Sequence, residues 1–188
     1  MNERRSSVKI RKTIIWAVMI TAAVSAAVIL NRHTAYVIMP AVFLPSYSVP
    51  FDKTVTDASG IRIVQSGRRI SVYNADKKIW KLEPEVAAQD FLFEDIDHDG
   101  KKDLLVLCWK RGRFGKHRPT WVESDETRYS QHIFIYEVGQ DLVRPKWMAS
   151  DIGMQARSIE FDDGMLLITE TDGDVTKWRW NTWGLDKM

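Results

Sequence analysis

The sequence holds little of the chemistry on which enzymes and metal-cysteine proteins depend. Its 188 residues include a single Cys, which excludes a disulfide framework and a cysteine-based zinc cluster. The four His show neither metal-ligand nor triad spacing. A glycine-rich phosphate loop, a nucleophile elbow and a convincing pair of catalytic acids are all missing. The chain is therefore without a recognisable catalytic motif, although 45% apolar residues are enough to form a folded core.

A strong charge of one sign is also missing. The chain has 27 Lys and Arg against 25 Asp and Glu, a net charge of +2. Residues 1–12 hold five cations and one acid, so this tail carries +4 and the remaining chain −2. The basic character belongs to the tail, and nothing indicates nucleic-acid binding.

Only one long apolar run is present, the eighteen uncharged residues 13–30. As a helix this run is about 27 Å long, close to the hydrocarbon thickness of a bilayer. We predict a transmembrane signal anchor in the cell membrane, with residues 1–12 cytoplasmic and the rest extracytoplasmic, because cations precede the run. The alternative is a signal peptide cleaved near the small residues 22–27. No Cys follows the run, which excludes a lipoprotein anchor.

Residues 31–50 are interrupted by Pro40, Pro45 and Pro50, so a second spanning helix is excluded. We predict a juxtamembrane stalk here, leading into an extracytoplasmic domain over 51–188. The alternative is an interfacial segment that lies on the outer leaflet.

No useful amphipathic helical period occurs after residue 34, and the fold class predicted for the domain is all-β. Residues 61–65 and 70–74 alternate as a hairpin does, whereas 91–96 and 103–109 are nearly continuous apolar runs typical of strands buried on both faces. Further strands are predicted at 133–138, 165–170 and 175–180. A two-residue turn at Asp172-Gly173 is expected to join the last two.

Two tryptophan–aspartate pairs indicate an internal repeat. Trp80 precedes Asp95 by 15 residues, and Trp147 precedes Asp162 by the same number. Each pair follows a strand–turn unit and precedes an acidic turn. The spacing predicts about two repeats and a fraction, each of three to four strands. The alternative is a meander in which the spacing coincides by chance.

The acidic loop at 95–103 is the one motif with chemical content. Carboxylates at its positions 1, 3, 5 and 9, a glycine at 6 and a backbone carbonyl at 7 form a calcium-type ligand set. An EF-hand is excluded, because Val106 stands where a bidentate Glu is required and both flanks read as strands. The predicted ligands are Asp95, Asp97, Asp99, Lys101 and Asp103. The alternative is an acidic hairpin solvated without metal.

This loop, between two apolar strands, resembles the calcium loop of FG-GAP repeats, which occur in integrin-α-type β-propellers and in VCBS-like bacterial surface proteins. The residues that carry the resemblance are Phe93-x-Asp95-x-Asp97-x-Asp99-Gly100-x-x-Asp103-Leu104. It implies a propeller-like repeat domain of antiparallel β-sheets, with about three blades in an incomplete array, and a structural Ca²⁺. The second repeat keeps only the turn at 161–164, and no metal is expected there.

A basic loop is the best candidate contact site, because long loops in compact domains are often functional. It would contact an anionic partner such as lipid headgroups, an envelope polymer or a protein. The alternative is a solvated excursion balanced by the acids downstream. The residues of this candidate contact loop are Arg111, Arg113, Phe114, Lys116, His117, Arg118 and Trp121.

These features predict a membrane-anchored, non-catalytic interaction module, an accessory subunit of a cell-envelope assembly. Residues 51–188 suffice for about three blades, and propellers usually need at least four, so a protein partner or a homo-oligomer is expected to complete the array. Two alternatives stay open. One is an envelope polysaccharide-binding or polysaccharide-processing component that uses Trp121, and the other is a calcium-responsive sensor.

Overall fold

The computed structural model describes residues 44–112, 120–125, 128–149 and 152–188. The predicted tail, the predicted membrane span and most of the predicted stalk lie outside these residues. Within the described ranges there is no helix at all, and hence none that is long and apolar enough to cross a membrane. The predicted all-β class is confirmed for this part of the chain.

The described residues form twelve strands in three antiparallel sheets of four. Each sheet is a meander of consecutive strands, and we call them sheet 1 (β1–β4), sheet 2 (β5–β8) and sheet 3 (β9–β12). The strands are β1 (Lys53–Thr56), β2 (Ile61–Ser66), β3 (Arg69–Asn74), β4 (Lys77–Lys81), β5 (Val86–Glu94), β6 (Asp103–Arg111), β7 (Tyr129–Val138), β8 (Val143–Met148), β9 (Ala156–Asp162), β10 (Met165–Glu170), β11 (Val175–Asn181) and β12 (Gly184–Lys187).

Sheet 2 lies between the other two sheets and is buried on both faces. Along β6, Leu104 and Val106 pack into a core shared with sheet 1, whereas Leu105 and Leu107 pack into a core shared with sheet 3. This is why β5 and β6 lack polar alternation, as predicted from their continuous apolar runs. Sheets 1 and 3 each bury one face, so their strands alternate.

The predicted repeat coincides with the order of the strands. Trp80 and Trp147 both lie on the fourth strand of a sheet, in β4 and β8. Asp95 follows, and Asp162 ends, the first strand of the next sheet. The structure thus has three four-stranded units where the spacing predicted two and a fraction.

The predicted two-residue turn at Asp172-Gly173 is wrong. The connection from β10 to β11 has four residues, 171–174, and the amide of Glu170 donates to the carbonyl of Asp174 at 2.8 Å, where a two-residue turn requires Thr171 to face Asp174. The Asp172 carboxylate then accepts a hydrogen bond from the amide of Asp174 at 3.1 Å and closes the wider turn.

The connections lie at two ends of the stack. Ser48, which precedes β1, is attached to one end of the stack, where its hydroxyl accepts hydrogen bonds from Arg68 and Trp109. We call this the entry end, and it also holds the β6–β7 connection that carries the predicted contact loop. The far end holds the acidic loop and the β9–β10 and β11–β12 turns. The nine residues of β6 separate the two ends by about 30 Å.

A buried glutamine joins the three sheets near the entry end. Gln89 occupies a bulge in β5, and its buried side chain forms hydrogen bonds within sheet 2 and to sheet 3. Its Nε2 donates to the carbonyls of Ala156 and Arg157 in sheet 3, both at 3.0 Å. Its Oε1 accepts hydrogen bonds from Trp109 at 2.7 Å and Gln131 at 2.9 Å.

Side chains of sheet 1 also bond to β5. Gln65 donates through Nε2 to the backbone carbonyl of Gln89 at 3.2 Å, and the ammonium group of Lys53 lies 2.8 Å from the carboxylate of Asp90. Polar side chains therefore hold the first strands of the sheets together between the two apolar cores.

Candidate metal centre

The acidic loop between β5 and β6 is shaped by its own hydrogen bonds. The Asp95 carboxylate accepts from the amides of Asp99 at 3.0 Å and Gly100 at 2.9 Å. Asp99 in turn accepts from the amide of Lys101 at 2.8 Å. His98 and Gly100 have positive φ angles of 61° and 85°, which makes this tight loop possible. The alternate acids are thereby turned toward one another.

Three of the predicted metal ligands converge. Asp95, Asp97 and Asp99 each offer a carboxylate oxygen, and these oxygens lie within 4.8 Å of one another. One oxygen of Asp97, Oδ1, is buried and accepts no hydrogen bond from the described part of the chain. Three carboxylates this close repel each other when ionised, and a cation between them removes the repulsion. The triad can hold a metal ion.

The fourth predicted carboxylate, Asp103, meets a lysine instead. Asp103 begins β6 and is 1% exposed. The ammonium nitrogen of Lys146 in β8 lies 2.8 Å from Oδ2 of Asp103 and 2.5 Å from Oδ2 of Asp97. Burial raises the pKa of Asp103 to about 6, although the hydrogen bond and charge of Lys146 act to lower it. Lys146 is thus a positive group within the predicted ligand set.

Lys146 itself is held from several sides. Burial alone lowers its pKa, but the hydrogen bonds and negative charges of Asp103 and Asp97 outweigh this, and the net pKa is raised. Its ammonium group also lies 5.7 Å from the ring centroid of Trp180 in sheet 3. No pattern within the loop identifies this residue, because it lies 43 positions from Asp103 and is brought close only by the pairing of the strands.

The loop also contacts sheet 3 through His98. A Cβ atom placed on Gly164, in the β9–β10 turn, would lie 2.8 Å from Cε1 of the His98 ring. The shortened turn of the predicted second repeat therefore packs against the first acidic loop. The predicted backbone ligand Lys101 is exposed, and its role as a ligand stays a prediction.

The predicted contact loop is described only in part. Arg111 ends β6 and is exposed, and Trp121 is 83% exposed. The other predicted contact residues lie outside the described ranges: Arg113, Phe114, Lys116, His117 and Arg118. Arg111 and the acidic loop lie at opposite ends of β6, so Arg111 does not belong to the acidic site.

A pocket of about 250 Å³ lies between sheets 2 and 3, and its lining is apolar. Trp147 and Trp178 form part of this lining, with aliphatic side chains around them. None of the described lining residues is an acid, a base or a nucleophile.

No protein-family model, curated protein or solved structure matches the chain. The resemblance of the acidic loop to FG-GAP repeats therefore stays a prediction, and the function has to be argued from the geometry.

Proposed function

We propose that the chain is a non-catalytic interaction module of the cell envelope, anchored by residues 13–30 and carrying a structural Ca²⁺ in the acidic loop. The observation that carries the interaction function is Trp183, which is 88% exposed. An exposed tryptophan on a rigid support is typical of the few residues that dominate protein–protein binding.

The support under Trp183 is rigid. It lies in the two-residue turn between β11 and β12, where the side chain of Asn181 accepts from the amide of Thr182 at 2.7 Å and donates to Asp186 at 2.6 Å. Just after the turn, Gly184 packs against the indole of Trp147. The backbone of the turn therefore has little freedom to lose on binding.

The outer faces of sheets 1 and 3 bear on where a partner binds. Outward positions in β2, β3, β9 and β11 are mostly polar or charged, as in the terminal units of repeat proteins. Stacking a further sheet there would bury charges. The polar outer faces therefore favour a partner that binds at the turns, as at Trp183, over a partner sheet that stacks on an outer face as a fourth blade.

Purification of the full chain from native membranes in mild detergent tests this function. A protein partner is expected to co-purify, and Trp183→Ala should lower its recovery by about thirtyfold, as for the loss of a central interface residue. Val175→Ala is the matched control, because Val175 is also exposed on sheet 3. Recovery only as a lone monomer would contradict the proposal.

For the metal, Ca²⁺ is favoured because the cluster found among the described residues offers hard carboxylate oxygens alone, without a nitrogen or sulfur ligand. Bound there, the ion would neutralise the triad and hold β5 to β6. At a Ca²⁺ concentration 100-fold above Kd, we expect about 2.7 kcal/mol of stabilisation, a rise in Tm of about 5–10 °C.

Calorimetry of the full chain in Ca²⁺ and in chelator measures this shift. Asp97→Asn should abolish the shift, whereas Asp162→Asn, in the shortened turn, should keep it. A Tm that does not respond to Ca²⁺, or an equal response in Asp97→Asn, would show that the site is not a calcium site.

One observation favours the alternative of polysaccharide binding. Trp121 is exposed and can stack on a sugar ring. If Trp121→Ala abolished binding to a glycan library while Trp183→Ala did not, this alternative would replace the protein partner.

A further inference from the structure

The outer face of sheet 1 has two rows of outward side chains. Register places Arg62, Tyr73 and Lys78 beside one another on β2, β3 and β4, and in the next row Ser71 lies beside Lys81. The residues between them along β2 and β3 point inward to the core. Three cations therefore share one flat face, which we call the basic face.

Tyr73 holds two of these cations in place. The guanidinium carbon of Arg62 lies 4.5 Å from the centroid of the Tyr73 ring, and the ammonium nitrogen of Lys78 lies 5.4 Å from it. Neighbouring strands are about 4.8 Å apart, so Arg62 and Lys78 are separated by about 10 Å across the ring. This exceeds the Debye length of about 8 Å at physiological salt but is well within the length of about 30 Å at 0.01 M, so the cations act together on a nearby anion at low salt.

The basic face contains no carboxylate. None of its three cations forms an ion pair with any described residue. Two acids near its ends are engaged by backbone amides of the turns. Asp52 accepts from the amide of Gly67 at 2.8 Å, and Asp57 accepts from the amide of Ile61 at 3.0 Å.

The outer face of sheet 3 is different. There Arg179 pairs in register with Asp186, and Leu167 lies between Glu160 and Lys177. Charges of both signs alternate on that face, as expected for a solvated surface. Only sheet 1 presents cations alone.

We propose that the basic face binds a linear anionic polysaccharide. Charge complementarity requires an anionic ligand, and two of the three cations are lysines, which are depleted from protein interfaces. Neither row has a large exposed apolar side chain that a protein or a lipid bilayer would bury. A hydrated polymer with repeating carboxylates fits a flat face of this kind. This proposal gives the interaction module a second ligand, on a surface that does not include Trp183. Polysaccharide binding by the basic face and protein binding through Trp183 can therefore be disproved separately.

Binding of the full chain, in non-ionic detergent, to polygalacturonate at low salt tests the proposal, with neutral dextran as the blank. Each cation near a polyanion contributes about fivefold, so Arg62→Gln with Lys78→Gln and Lys81→Gln should weaken binding about 100-fold. The matched control replaces three exposed cations of sheet 3 by Gln, namely Arg157, Lys177 and Arg179, and leaves the affinity within about twofold.

A second variant tests whether binding depends on the arrangement of the cations as well as on their number. Tyr73→Leu keeps every charge and removes the ring under Arg62 and Lys78, and it should weaken binding about threefold. The proposal would be overturned if the triple Gln variant of sheet 1 and that of sheet 3 lost affinity equally. It would also be overturned if the sheet 1 variant kept full affinity. Binding of this face to vesicles with 30% anionic lipid but not to the polymer would overturn it as well. Trp183→Ala should leave polymer binding unchanged.

Discussion

Gln89 allows the most demanding test of how the three sheets are held together. Gln89→Leu keeps the size of the side chain and removes its four hydrogen bonds, two donated to sheet 3 and two accepted within sheet 2. Leucine buries no new polar atom, so the change isolates the network rather than opening a cavity.

The magnitude follows from the partners that remain. Four buried hydrogen bonds at about 0.5–1.5 kcal/mol each give about 2–6 kcal/mol. Trp109 keeps its bond to Ser48, and Gln131 keeps its bond to the carbonyl of Ala156. Since these partners stay satisfied, we expect the lower part of the range, about 3 kcal/mol, or a fall in Tm of about 6–12 °C.

Urea denaturation of the full chain measures this loss as a shift in midpoint at constant slope. The matched control is Gln140→Leu, because Gln140 bonds to Asn74 at an exposed turn, and it should change stability by less than about 0.5 kcal/mol. A double-mutant cycle with Gln131→Leu should give a coupling of about 1 kcal/mol or more. A loss in Gln89→Leu no larger than in the control would refute the view that this network joins the sheets.

Three further predictions concern other parts of the domain. Gly184→Ala should destabilise by at least about 2 kcal/mol in thermal melts, because the new Cβ would lie 2.4 Å from the Trp147 indole and φ is +147°; a neutral effect would show that the two groups separate easily. Burial raises the pKa of the Cys108 thiol, so it should stay unreactive to a thiol reagent up to pH 9 and react only on unfolding; rapid labelling of the native protein would contradict this. In chelator, Lys146→Met should lower the free energy of unfolding by about 2–3 kcal/mol in urea titrations, because it leaves Asp103 buried without its cation. An unchanged midpoint would show that Lys146 does not stabilise the buried carboxylate.

Local patterns were sufficient to predict a strand when its residues alternate between core and solvent, and also when nearly all of them are buried. The hairpin of β2 and β3 was predictable because alternate side chains face the core and the solvent, and β5 and β6 because both of their faces are buried. The strands that were missed include β1 (Lys53–Thr56) and β12 (Gly184–Lys187), because four residues carry no reliable period. These two become strands by pairing with a longer neighbour.

The candidate metal site also has a part that was predictable from the sequence and a part that was not. Asp95, Asp97 and Asp99 were predictable as a cluster because they lie within five positions, and one tight loop is enough to turn them together. Lys146 was not, since it reaches Asp97 and Asp103 from another strand. The spacing of acids therefore says where a cation can bind, and the fold decides which protein cation lies beside it.

The sequence by itself determined the all-β class, the burial of the central strands and the acidic loop, because each depends on neighbours within a few residues. Only the tertiary structure decided that sheet 2 is enclosed between the others, that Gln89 joins all three sheets and that sheet 1 has a face with cations alone. These features depend on contacts between residues up to 68 positions apart, and no local pattern in the chain specifies them.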